Sequence, residues 1–239
     1  MMDESHIQSV FDRDLEKIQT LIMKMGGLVE VSILDAVRSL ANRDEELAMK
    51  VRENDRAIDQ LEEEIYEEAA RIIALRAPTA SDLRTVLTVM KISANLERIG
   101  DYAKNLAKRT SVLVQMRPIE GAAEQIRRMG REVEAMLKQA LDAYIQRDAT
   151  LAEEVREQDA EVDLMYNALF REFLTHMMED PSNITACMHL HFIAKNTERM
   201  GDHVTSICEQ VIYLVTGSMP DENRLKEDRT PYVRMGAGE

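Results

Sequence analysis

The 239-residue sequence predicts an all-α fold made of two tandem, internally duplicated three-helix bundles. Three observations lead there: few helix breakers, apolar residues in 3/4 steps, and one long internal repeat. With only 9 Gly and 5 Pro against abundant Leu, Ala, Met, Glu and Arg, the composition favours helix over sheet. Hydrophobic residues at 45% and charged residues at 31% exclude disorder for most of the chain.

Proline positions set the outline. Pro78, Pro118, Pro181, Pro220 and Pro231 leave 1–77 and 119–180 free of proline, so long helices can run through both stretches. Helices are expected near 5–41, 44–76 and 80–115, then near 120–146, 148–178 and 182–216. Ile92, Leu96, Ile99, Ala103, Leu106 and Leu113 keep helical spacing, as do Ile193, Met200, Val204, Ile207, Val211 and Leu214. Asp180-Pro181 is a helix start signal: the Asp side chain can cap free N–H groups, and proline is tolerated at the first helical position.

The repeat is explicit. Arg43-Asp44, Leu47-Ala48, Val51-Arg52-Glu53, Asp55 and Asp59 recur as Arg147-Asp148, Leu151-Ala152, Val155-Arg156-Glu157, Asp159 and Asp163, so 9 of 17 positions match at an offset of 104. Met25-Gly26 and Met129-Gly130 share that offset, while Ile92–Asp101 matches Ile193–Asp202 at an offset of 101 with 6 of 10 identical. A period this long exceeds a solenoid unit, so two bundles fit better. The expected division is 1–116 for the first repeat and 117–216 for the second. Residues 217–239, rich in Pro, Gly, Asp and Glu, read as a flexible tail.

Charge narrows the function classes. A net charge of −14 repels phosphate backbones and anionic lipid, so nucleic acid and unaided membrane binding lack their main electrostatic term. Cations and basic protein patches are the natural partners. The acidic opening MMDESHIQSVFDRD does not read as a signal peptide, and Val211–Val215 is too short to span a bilayer. Cys187 and Cys208 read as small buried residues and the chain as cytoplasmic.

Four carboxylate pairs spaced i, i+4 carry the candidate chemistry: Asp55/Asp59, Glu97/Asp101, Asp159/Asp163 and Glu198/Asp202. On a helix each pair shares a face, where like charges repel unless a cation intervenes. Measured against the apolar stripes of their own helices, Glu97/Asp101 and Glu198/Asp202 point away and Asp55/Asp59 lie to one side. The expectation is therefore a solvent-open site on the bundle flank. The pairs also fit ordinary solvated surface, with Arg52, Arg56 and Arg98 as ion-pair partners. Gly100 and Gly201 precede the second acids of two pairs inside helical pattern, which implies close approach of a helix or ligand. An all-oxygen set favours Fe, Mn, Mg, Ca or Zn. His189 and His191 are two apart and cannot face one ion together; His203 aligns with Tyr102, and His6 and His176 stand alone. No Ser/His/Asp set, phosphate-cradling Gly loop or Cys/His zinc pattern is visible, so no catalytic residue is expected.

The segments ARIIALRAPTASDLR (70–84), NLERIGDYAKN (95–105) and NTERMGDHVTS (196–206) resemble the PhoU family over roughly residues 10–216. The resemblance implies two three-helix bundles with surface metal clusters on E(D)xxxD motifs, which map onto Asp55, Asp59, Glu97, Asp101, Asp159, Asp163, Glu198 and Asp202. It also implies a non-enzymatic negative regulator of phosphate uptake and of the phosphate-starvation response. Its implied partners are the phosphate ABC transporter ATPase (PstB-like) and a sensor histidine kinase (PhoR-like), with membrane association only through them. A homodimer is expected. The R-x-P-x-A-x-D-L-R turn is not repeated, since Glu179-Asp180-Pro181-Ser182 stands there in the second half. Two other readings are a ferritin-like di-metal oxidase and a metal-free helical scaffold. The oxidase needs inward Glu-x-x-His pairs, which neither ERIGD nor ERMGD contains.

Overall fold

The computed structural model describes residues 2–220, with side chains from residue 13 onward; residues 221–239 of the expected tail lie outside the described residues. Six helices follow in order: α1 (Met2–Asn42), α2 (Glu45–Arg76), α3 (Ala80–Leu113), α4 (Ala122–Gln146), α5 (Ala149–Glu179) and α6 (Ile184–Thr216). One 3-10 turn, Pro181–Asn183, leads into α6, so the Asp180 signal starts that turn: its side chain accepts from the Ser182 N–H. No strand occurs among the described residues.

The recurring Arg-Asp dipeptides are the corners of the fold. Arg43 has φ 55° and Arg147 φ 53°, a left-handed conformation that ends α1 and α4. The next N–H then folds back, from Asp44 to Ser39 and from Asp148 to Ala143, at 2.9 Å each. Asp44 and Asp148 immediately cap the following helix by accepting from the N–H groups of Leu47 and Leu151. Two residues thus close one helix and open the next. The Arg43 guanidinium also donates to the carbonyls of Val114 and Met116, fastening this corner to the end of α3.

Within each half the three helices pack on one another, α1 on α2 and α3, and α4 on α5 and α6. The halves in turn meet through α1 against α4 and α3 against α6. The apolar stripes supply these contacts: Ile92, Leu96, Ile99, Ala103 and Leu106 are fully buried, as are Ile193, Met200, Val204, Ile207 and Val211. Each of these Ile, Leu, Val and Met side chains contributes about 1.5–3 kcal/mol by leaving water, and Ala103 less. Cys187 and Cys208 are buried and unpaired with each other.

The contact between halves is reciprocal. A Cβ on Gly26 would lie 2.4 Å from Leu141 Cδ1, and one on Gly130 would lie 2.5 Å from Val37 Cγ1. Gly26 and Gly130 are repeat mates at an offset of 104, and so are Val37 and Leu141. Each half therefore offers a glycine notch on one helix and the branched side chain that fills the other's notch, with α1 and α4 antiparallel. The α3–α6 contact repeats the pattern: the repeat mates Tyr102 and His203 face each other with ring centroids 5.7 Å apart. An approximate two-fold axis relates the halves. No described helix is long and apolar enough to cross a membrane.

Candidate functional site

The carboxylate pairs lie in two seams, one between α2 and α3 and one between α5 and α6. The first gathers Asp55 and Asp59 with Glu97 and Asp101; the second gathers Asp159 and Asp163 with Glu198 and Asp202. Mutual electrostatic influence places them together: Asp55 feels Asp59 and Asp101, and Glu198 feels Asp163 and Asp202.

The seams are largely buried between helices, not the solvent-open flank expected. Asp55 and Asp159 are 2% exposed, Asp163 3% and Glu198 6%, while Glu97, Asp101 and Asp202 are half-buried and Asp59 is exposed. Asp55 in fact sits four residues after Val51 and three before Ile58, on the buried stripe, as Asp159 does between Val155 and Val162.

Gly100 and Gly201 make the close approach possible. A Cβ on Gly201 would lie 2.6 Å from Asp159 Oδ1; one on Gly100 would lie 3.0 Å from Ile58 Cδ1 and 3.6 Å from Asp55 Oδ1. In both halves the first acid of α2 or α5 rests over the glycine of the facing motif. The glycines are there because a neighbouring helix and its carboxylate occupy the space.

Three residues of these seams escaped the sequence reading. Lys104 Nζ stands 2.5 Å from Asp55 Oδ2 and 3.4 Å from Asp101 Oδ1. Lys195 Nζ stands 2.8 Å from Glu198 Oε1 and 4.8 Å from the Tyr166 ring centroid. Glu62 adds a fifth acid to the first seam. Their signal was present, since Lys104 follows Asp101 by three residues, Lys195 precedes Glu198 by three, and Glu62 follows Asp59 by three. Of the arginines expected as partners, Arg98 reaches Glu97 at 3.7 Å and is well exposed, a weak contact. His203 is held at 2.8 Å from Asn95 Oδ1.

Burial pushes Glu97 up to about 7, helped by the neighbouring charges of Asp101 and Glu62. Burial likewise raises Asp55 and Glu198, against the pull of Lys104 and Lys195. Below its ordinary 4.5 the Glu97 carboxyl is protonated in both folded and unfolded chains and has no effect on stability. Between 4.5 and about 7 the unfolded chain loses that proton first, so stability falls as pH rises. Glu97→Gln in chelator is expected to remove about 1–2 kcal/mol of this decline, after allowance for partial solvent screening. Urea midpoints of both proteins at pH 4.5 and pH 8 check it; parallel pH dependences would contradict the assignment.

Some observations fit a bound cation. Asp55 Oδ1 and Glu198 Oε2 are buried and accept no hydrogen bond, and oxygen-only donors suit a hard ion. As the side chains stand, with an ammonium group in each seam, no three His, Cys, Asp or Glu residues among those described are placed to hold one ion together.

Comparison with known proteins agrees with the duplicated architecture. The PhoU domain family matches twice, over residues 22–110 and 126–211. A Rhizobium meliloti (strain 1021) protein, a phosphate-specific transport system accessory protein PhoU homolog, is 44% identical over 229 residues, covering 96% of this chain and 97% of its own. A homolog of the same description from Zymomonas mobilis is 48% identical over 223 residues, covering 93% and 94%. The crystal structure of PhoU from Pseudomonas aeruginosa superposes with a TM-score of 0.84 at 41% identity, covering 87% of this chain and all of that one. The phosphate transport system regulatory protein PhoU from Streptococcus pneumoniae gives 0.82 at 31% identity, covering 88% and 99%. With two matched repeats, relatives this similar over nearly their whole length and the same six-helix fold, the chain belongs to the PhoU family.

Proposed function

We propose that this chain is a regulatory accessory protein of phosphate-specific transport that restrains phosphate uptake and the phosphate-starvation response. In this reading it is an adaptor without catalytic turnover, docking on the ATPase of the phosphate ABC transporter and on a sensor histidine kinase. The duplicated acidic seam carries the metal-binding part of the reading, because each half keeps a buried carboxylate oxygen that accepts no hydrogen bond, Oδ1 of Asp55 in the first and Oε2 of Glu198 in the second. Asp55, Asp59, Glu97 and Asp101 would hold a divalent cation in the first half; Asp159, Asp163, Glu198 and Asp202 would do so in the second. A bound ion would neutralise acids that now repel one another across each seam. The chain's own contribution is to hold those acids on facing helices, kept close by Gly100 and Gly201.

A net charge of −14 suits docking to basic patches, and such complementarity mainly raises the association rate and is screened by salt. Deleting the gene is expected to leave phosphate-starvation genes switched on in high phosphate. Pull-downs should recover the ATPase or the kinase at low salt and lose them as ionic strength rises. Normal repression in the deletion strain, with neither partner recovered at low salt, would overturn the proposal.

A further inference from the structure

Each acidic seam contains a lysine that the duplication did not put there. Lys104 follows Asp101 on α3, and its repeat counterpart is Thr205; Lys195 precedes Glu198 on α6, and its counterpart is Ala94. Each ammonium nonetheless reaches a buried acid of its own half, Lys104 at Asp55 and Lys195 at Glu198. Two unrelated sequence positions answer one electrostatic need, a positive charge beside carboxylates removed from water.

The lysines answer it incompletely. Asp55 at 2% exposure and Glu198 at 6% each keep a buried oxygen that accepts no hydrogen bond, Oδ1 and Oε2 respectively. An ammonium brings one charge and three donors, whereas a divalent cation brings two charges and draws on a larger set of oxygens. The two compete for the same oxygens.

We infer that Lys104 and Lys195 are built-in counter-ions, seated in the seams of the ion-free protein and displaced toward solvent when a divalent cation binds. The inference rests on the cation-binding reading above. It makes the two halves unequal. The Lys104 side chain is 41% exposed and can rotate outward without unpacking a helix. Lys195 is 28% exposed and lies over the Tyr166 ring, so leaving costs it a cation–π contact as well. Tyr166 also stands where the first half has Glu62, so the first seam offers one more acid. The first half therefore binds the cation more tightly than the second.

Calorimetric titration of the full chain with Mn2+ tests this. Wild type should show two classes of site, the tighter one lost in E97Q/D101N. Lys104→Met keeps the stem and removes the charge, and should tighten the first class by about tenfold, because the binding-competent state no longer has to be won from the lysine. Lys195→Met should do the same for the second class alone. A second readout needs no variant: saturating Mn2+ should speed acylation of Lys104 and Lys195 in wild type several-fold, with surface lysines such as Lys50 unchanged. Absence of Mn2+ uptake by wild type overturns the cation reading and this inference with it. Uptake that depends on Glu97 and Asp101, but with lysine acylation indifferent to Mn2+, leaves that reading standing and overturns the inference alone.

Discussion

Gly130→Leu is expected to destabilise the protein by about 3 kcal/mol, lowering Tm by roughly 6–12 °C for a chain of this size. Even the first added carbon would lie 2.5 Å from Val37 Cγ1 and 3.4 Å from Val37 Cβ. Valine is branched at Cβ and holds essentially one rotamer in a helix, so it cannot swing aside. The α1–α4 contact must open instead, and with it the junction of the two halves. Val37→Ala in the same background should recover part of the loss, since it empties the space the leucine needs. Gly26→Ala should be milder, because the atom it meets is the terminal Cδ1 of Leu141. A Gly130→Leu protein melting within 2 °C of wild type (set against roughly 6–12 °C expected) would remove this notch from the account of stability.

Gly201→Leu should be comparably severe, at about 3 kcal/mol, and should also disturb the second acidic seam. A Cβ there meets Asp159 Oδ1 at 2.6 Å, and Asp159 is short, 2% exposed and pressed between helices. The side chain has no distant end to yield, so α5 must shift off α6. The repeat mate provides the control. Gly100→Ala meets the terminal methyl of Ile58 at 3.0 Å, and small repacking is offset by a gain of about 1 kcal/mol in helix propensity. Urea unfolding of both variants checks the contrast: a large loss at 201 and little change at 100. Equal effects at the two positions would show that the seams are not packed as described.

Most of the helical framework was legible from breakers and periodicity. Expected ends near 41, 76 and 146 fall within a residue of Asn42, Arg76 and Gln146, because the Arg-Asp corners and Pro78 leave few alternatives. The start of α6 was less exact, since Asp180 caps a 3-10 turn before the α-helix proper. The seams were legible as residue types but not as environments. Reading Asp55 against its own stripe missed that it falls between Val51 and Ile58 and that Gly100 admits it against α3. The stripe of α2 itself marks Asp55 as inward-facing, but how closely α3 approaches it depends on Gly100 of that second helix, which no single-helix pattern contains. The counter-ions were missed for the same reason: Lys104 is a commonplace i+3 neighbour of Asp101 until α2 brings Asp55 to within 2.5 Å of it.

The reciprocal notches of Gly26 and Gly130 also bear on how the fold depends on concentration. A chain holding one repeat would expose its notch and the side chain meant for the other. It could bury them only by pairing with an identical copy across an isologous surface. Its folded population would then follow mass action and fall on dilution. Joining both repeats in one polypeptide replaces that bimolecular step with an intramolecular one, at an effective concentration on the order of millimolar for a short linker. The segment between α3 and α4, held by Arg43 through the carbonyls of Val114 and Met116, makes the junction between the halves independent of how much protein the cell contains.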